Sequence, residues 1–157
     1  MARHIGLVAQ SKRRRGGICR ARDQFDPSPI FRRGRDFCDR EHGEWYVLST
    51  SHGLVPPHQV IGADAPPLHA LSAEERVQWA AQVAEQLRAR IERSGQPLTF
   101  ALYASQHYAD LLMRAAPLAD FALPLSGMSF WERLQWYDER LRIRTRVLSR
   151  SLHTPTL

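Results

Sequence analysis

The stretch "SAEERVQWAAQVAEQLRARIERSGQPLTFALYA", residues 72–104, joins two periodicities across a glycine and a proline. Its first part repeats apolar residues at the three-and-four spacing of an amphipathic helix, with Ser72 and Glu75 set as a capping box and Gly95 as the stop. Val77, Ala80, Ala81, Ala84, Leu87 and Ile91 read as its buried stripe. The second part, "PLTFALYA", is a short apolar run that suits a buried strand. A long helix leading into a buried strand is what a crossover between parallel strands requires.

The alternation extends both ways. "HIGLVA" (4–9) and "EWYVLST" (44–50) read as buried strands upstream, and "FALPL" (121–125) as a short one downstream. "PSPIFRRGRDFCDREHG" (27–43) reads as a helix with Ser28 as N-cap and Pro29 in its first turn. "SQHYADLLMRAAP" (105–117) ends before its proline, and "SGMSFWERLQWYDERLRIRTRVLS" (126–149) closes the domain. The expectation is one α/β domain over residues 1–150: an open, mainly parallel sheet of about four strands with helices on both faces, Rossmann-like, and a frayed tail over 151–157. Residues 51–72, "SHGLVPPHQVIGADAPPLHALS", read as a loop of unusual length, and such loops are usually functional.

Composition narrows the function classes. The longest apolar runs fall well short of the roughly 18 residues a membrane span needs, and the N-terminus has no apolar core of a signal peptide, so a cytoplasmic protein is expected. Cys19 and Cys38 fit no zinc or redox spacing, which makes them two reduced thiols and leaves no metal and no cofactor expected. The sequence has neither a G-x-x-x-x-G-K-[ST] loop nor a G-x-S-x-G elbow, which disfavours a phosphate-loop triphosphatase and a serine hydrolase.

The charge is uneven. Through Arg40 there are eleven Lys or Arg against four acids, whereas the remainder has eleven against twelve. A basic segment on a near-neutral body points to a phosphate-bearing partner, with a solvated arginine face as the plain alternative. Within it Lys12 is the chain's only lysine. Lysine offers a compact, ionisable amine where arginine offers a planar, permanently charged fork.

Ligands of open α/β sheets sit outside the carboxyl ends of the strands. That rule selects residues 10–17, 49–60, 105–108 and 126–131. Ser11, Lys12 and the amides of Gly16 and Gly17 are candidate anion contacts, Arg22 a phosphate partner, and Ser51, Gly53, Ser126 and Gly127 further ligand contacts. His52 and Asp64, with Lys12, are the candidate catalytic groups, since a histidine past a strand end can move a proton near neutral pH. His42, His58, His69 and His153 read as surface residues, and Trp131 and Trp136 as packing ones.

"LVAQSK", "ARDQFDPSPIFRRGRDF", "WYVLSTSHGLVPPHQVI" and "LPLSGMSFWERLQW" together resemble the successive signatures of a bacterial domain-of-unknown-function family, number 6884. Members show a C-S-K loop, an A-R-D-L-Y-x-S-x-L-F segment, a W-Y-I-L-S-A-K-H-G-L strand and loop, and a P-L-x-G ending. The resemblance marks Ser11, Lys12, Ala21, Arg22, Asp23, Ser28, Phe31, Ser49, His52, Gly53, Leu54, Pro124, Leu125 and Gly127. It also shows departures: Gln10 stands for the usual cysteine, Phe25 for tyrosine and Ser51 for lysine. A thiol mechanism at position 10 is therefore not open to this chain.

Two functions follow as expectations. One is an enzyme of hydrolase or transferase type acting on a nucleotide or nucleobase, with an anion site at the carboxyl edge of the sheet. The alternative is a non-catalytic module that binds DNA or RNA through the basic N-terminal segment. The first requires Ser11, Lys12, His52 and Ser126 to lie at one edge of one sheet and to converge there.

Overall fold

The computed structural model describes the backbone of residues 3–152 and side chains through Arg142. In chain order the elements are β1 (Arg3–Ala9), β2 (Cys19–Arg20), α1 (Ala21–Gln24), α2 (Pro29–Glu41), β3 (Trp45–Ser49), β4 (Gly53–Val55), β5 (Val60–Ile61), a 3-10 turn (Leu68–Ala70), α3 (Ala73–Ser94), β6 (Leu98–Tyr103), α4 (Gln106–Ala115), β7 (Asp120–Ala122) and α5 (Phe130–Leu152). The main sheet has five strands in the order β4-β3-β1-β6-β7, and all its pairings are parallel except β3 with β4.

Local signals set the helix ends. Ser28 caps α2 by accepting from the Phe31 N–H, with Pro29 in the first turn where its missing N–H costs nothing. Ser72 and Glu75 form the reciprocal capping box of α3, which ends on Gly95 at φ +63°. Helix α5 runs to Leu152, past the boundary expected at residue 150, and His153 lies outside the described residues.

Side chains alternate across the sheet. Ile5, Leu7, Leu48, Phe100 and Leu102 pack under α3 and α4, whereas Val8, Val47, Ala101 and Tyr103 pack under α2 and α5. The stripe of α3 differs from the expected one: Trp79, Ala80, Val83 and Leu87 are buried, and Val77 and Ala81 face solvent. Trp79 decides that rotation, because its indole N–H donates to the Ser49 carbonyl at 2.8 Å and fixes which side of the helix meets the sheet.

The expected count of about four strands was too low, and the extra strands lie mostly in segments read as loop. Strand β4 turns back on β3 through a tight hairpin, and β2 pairs antiparallel with β5 as a separate two-stranded ribbon. In the hairpin the Ser49 hydroxyl accepts from the Ser51 and His52 N–H groups, and Gly53 sits at φ +70°. Gln86 of α3 supplies the edge strand with a side-chain partner: its Oε1 accepts from the Leu54 N–H at 2.8 Å and its amide nitrogen donates to the Leu54 carbonyl at 3.3 Å. A Cβ on Gly53 would run into that Oε1. The turn and Gln86 therefore both call for glycine at position 53. Gly53→Ala is expected to cost about 2 kcal/mol through the left-handed backbone and the disturbed amide pair, lowering the melting temperature by roughly 4–8 °C. Calorimetry checks this, and any ligand affinity should stay within twofold of wild type.

Candidate functional site

Numbered by their place in the sequence, the four parallel strands lie in the order 2-1-3-4, so the chain reverses direction between β1 and β6. Connections leaving these two neighbours diverge and open a crevice above their carboxyl ends. A cavity of about 480 Å³ occupies that place, within the size range of small-molecule sites. Its walls come from the end of β1 (Gln10, Ser11, Lys12), the loop before α3 (Pro67, Leu68, His69), Arg76 of α3, and the start and one side of α4 (Ser105, His107, Tyr108, Asp110, Leu111, Arg114), on which His107, Asp110 and Arg114 are exposed.

The wall charges are lopsided. Lys12, Arg76 and Arg114, with His69 and His107, face a single carboxylate, and Asp110 already accepts from the Gln106 amide at 2.9 Å. Helix α4 begins here with N-cap Ser105 making no side-chain cap bond, so its first N–H groups add positive potential at the same spot. Tyr108 stays a neutral phenol because burial pushes its hydroxyl up to about 12. The arrangement suits an anion of several oxygens held by guanidinium and ammonium groups.

Gln10 holds this site together. Only 8 % exposed, it accepts through Oε1 from the Thr50 N–H at 2.8 Å and hydroxyl at 3.3 Å, and donates to the carbonyls of Pro66 at 3.0 Å and Ala65 at 3.4 Å. The Ser51 hydroxyl donates to the Asp64 carbonyl, and the Thr50 hydroxyl shares its one proton between Gln10 Oε1 and the Pro66 carbonyl. The long loop is thus sewn to the β3–β4 hairpin, and its continuation, residues 67–69, forms one wall of the cavity. The family's cysteine at position 10 could not make these four contacts.

The expected site residues separate into two sets. Ser11, Lys12, Ser126 and Gly127 lie where they were expected. The first two line the main cavity, and Ser126 and Gly127 line a smaller one of about 170 Å³ that also touches Ser105. His52 follows β3 at the same edge, but neither it nor Ser51, Gly53 or Asp64 lines a cavity described here. Ser51 and Asp64 meet each other, hydroxyl to carbonyl, as part of the loop seam. Gly16 and Gly17 do adopt positive φ, yet the Gly16 N–H is taken by the buried Gln24 side chain at 3.1 Å, and Gln24 also donates to the Gly17 carbonyl. Arg22 lies by the amino end of β3, the opposite edge. There it forms a two-point pair with Asp39 at 3.0 and 2.6 Å beside Trp45, and the carboxylate raises its already high pKa.

Six of the eleven cations of the basic segment pair with carboxylates within the fold, Arg22 among them. Arg15 pairs with Asp26, Arg20 with Asp23, Arg33 with Asp138, Arg3 with Glu44, and Arg35 with Asp23, Asp26 and Asp36. Only Glu44 and Asp138 among these acids come from outside the segment, so an excess of five positive charges remains on residues 3–40. Arg76, Arg114 and His69 were not singled out because they come from helix sides and a loop far from the basic block, whereas His107 falls within the stretch 105–108 that the strand-end rule selects. His69, exposed as its reading as a surface residue expects, also lines the cavity. Trp131 is 76 % exposed, so it does not pack as expected, whereas Trp136 packs against Phe37 and Tyr137.

Among the described residues no helix is long and apolar enough to cross a membrane. The model of a family of unknown function, DUF6884, matches residues 5–139. No curated protein and no solved structure matches the chain.

Proposed function

The chain belongs to the DUF6884 family, and from its own geometry we propose that it is a cytoplasmic enzyme of hydrolase or transferase type acting on a nucleotide or nucleobase. The observation that carries this reading is the cationic cavity between the carboxyl ends of β1 and β6. The strand order and the two-sided helix cover support a Rossmann-like fold, in which this crevice is the usual ligand position. Lys12, Arg76 and Arg114 hold the phosphate together with the first amides of α4. His107, on the first turn of α4, lines the cavity and would move a proton beside the phosphate, whereas His52 and Asp64 are not part of its lining.

The alternative, a module that binds DNA or RNA through the basic segment, is less well supported. Most of those arginines already have carboxylate partners, and releasing them would break the ion pairs that pin α1, α2 and α5.

A thermal-shift series against nucleotides, inorganic phosphate and short oligonucleotides tests the reading. A nucleotide at about 100 times its dissociation constant should stabilise the fold by about 2.7 kcal/mol, or roughly 5–11 °C. The lone lysine gives a second arm. Lys12→Arg should weaken binding of the best nucleotide about tenfold, because the bulkier guanidinium does not fit a place shaped for an ammonium, while Arg13→Lys should leave it unchanged. Equal effects of the two substitutions, with steep loss of oligonucleotide binding in salt, would favour the binding module.

A further inference from the structure

The lining of the main cavity changes character with depth. Lys12, His107 and Arg114 are exposed at its mouth, whereas Gln10, Leu68 and Tyr108 are buried and form its floor. The charged end of a ligand therefore belongs at the mouth, and a neutral part of it reaches the floor. Gln10 has both ends of its amide engaged with Thr50 and the loop carbonyls, and the Leu68 side chain has no polar atom. The side-chain polar atom that the floor leaves to a ligand is the hydroxyl of Tyr108.

Tyr108 is only 9 % exposed. Its ring packs edge-on against Trp79, 5.7 Å between centres, and Trp79 is itself tied to the Ser49 carbonyl, so the core holds the phenol in place. Yet its hydroxyl has no hydrogen-bond partner among the described residues. Nor is it sealed off, since Arg133 Nε is the one side-chain nitrogen or oxygen among those residues that is both closed to solvent and unpaired. A phenylalanine would fill the same place without the cost of taking a hydroxyl out of water. Burial pushes the phenol up to about 12, so it keeps its proton near neutral pH and can both donate and accept. Ser105, three positions earlier on the same side of α4, brings a second hydroxyl to the cavity, one that makes no cap bond.

We propose that Tyr108 reads the sugar of the ligand: its hydroxyl, with that of Ser105 beside it, pairs with the ribose diol, so that the substrate class is a ribonucleotide rather than a deoxyribonucleotide. This deepens the nucleotide reading of the same cavity and rests on the phosphate assignment at its mouth. A base edge sets donors and acceptors side by side and is matched by amide or guanidinium pairs, and the amide on the floor is already engaged. A sugar hydroxyl donates and accepts through a single oxygen, as the phenol does. A ligand without that hydroxyl leaves the phenol unpaired, and a site built around a hydroxyl rejects the analogue that lacks it.

The test is calorimetric titration with adenosine 5′-monophosphate, its 2′,3′-dideoxy counterpart and inorganic phosphate. Wild type should bind adenosine 5′-monophosphate about tenfold more tightly than the dideoxy form. Tyr108→Phe keeps the ring against Trp79 and removes no bond within the fold, so its melting temperature should not fall. It should bring the two nucleotides to within about twofold of each other and leave inorganic phosphate unchanged. Equal affinities of the two nucleotides in wild type overturn the inference, as does phosphate binding where neither nucleotide binds. So does a Tyr108→Phe variant that keeps the wild-type gap, that weakens inorganic phosphate as much as the ribonucleotide, or that melts well below wild type, which would place the hydroxyl in the fold's own bonding. In each of these cases phosphate binding that is lost on Lys12→Glu leaves the phosphate assignment standing. Failure of all three probes to bind wild type overturns both.

Discussion

Gln10→Ala is expected to lower stability by about 3 kcal/mol and the melting temperature by roughly 6–12 °C. The substitution strips a buried amide that satisfies the Thr50 N–H and two loop carbonyls at once, at a residue only 8 % exposed. The Pro66 carbonyl keeps the Thr50 hydroxyl, but the Thr50 N–H loses its partner, and a buried donor left unmade costs more than an average hydrogen bond contributes. The same shift displaces Pro67, Leu68 and His69, so ligand affinity should fall together with stability. Denaturant melts and a titration on the same samples check both. Gln10→Cys, which restores the residue usual in the family, should be about as unstable as Gln10→Ala, because a thiol reaches neither the hairpin nor the loop. A variant at this position that melts like wild type would mean that the loop is held elsewhere.

Position 10 also shows what the sequence could and could not disclose. Signals confined to a few neighbouring residues were legible: Ser28 before Pro29, Ser72 with Glu75, and Gly95 each act within one helical turn. S-F-W-E at 129–132 is a capping box of the same kind, with the Ser129 hydroxyl accepting from the Glu132 N–H at 3.2 Å, and it was there to be read. Strands β2, β4 and β5 were not legible. Two or three residues carry no periodicity, and the pairing of Cys19–Arg20 with Val60–Ile61 depends on partners some forty residues away. The stripe of α3 was misread because an alanine-rich helix offers neighbouring faces of similar apolarity, and the choice fell to a long-range bond from Trp79 to Ser49.

For the site, the rule about strand ends found Ser11, Lys12 and Ser126, because it depends only on topology. Counting charge along the chain shows neither that Asp138 reaches Arg33 across 105 positions nor which arginine Asp39, within the same segment, sits against. The cations that face the cavity, Arg76 and Arg114, belong to helices whose charges look ordinary in sequence. Part of the positive block is tied into ion pairs of the fold, whereas the charge that lines the cavity is dispersed in the chain and gathered by the fold.

That distinction gives the largest functional effect expected. Lys12→Glu should weaken nucleotide binding by about 100-fold, near 2.7 kcal/mol, and Arg114→Glu by a similar factor. Each removes an attractive partner and puts a like charge beside the phosphate, and two unit charges 4 Å apart interact by about 4 kcal/mol at the effective dielectric of a protein surface. Arg93→Glu changes the net charge by the same amount from the last turn of α3, which feeds the amino end of β6 at the opposite edge of the sheet. At 0.15 M salt its field is screened within about 8 Å, so affinity should hold within twofold. Titrations of the three variants at low and physiological salt separate a built pocket from a diffuse positive field. If Arg93→Glu weakens binding as much as Lys12→Glu at low salt and both effects vanish at high salt, attraction is spread over the surface, and the nucleic-acid module becomes the better account of the chain.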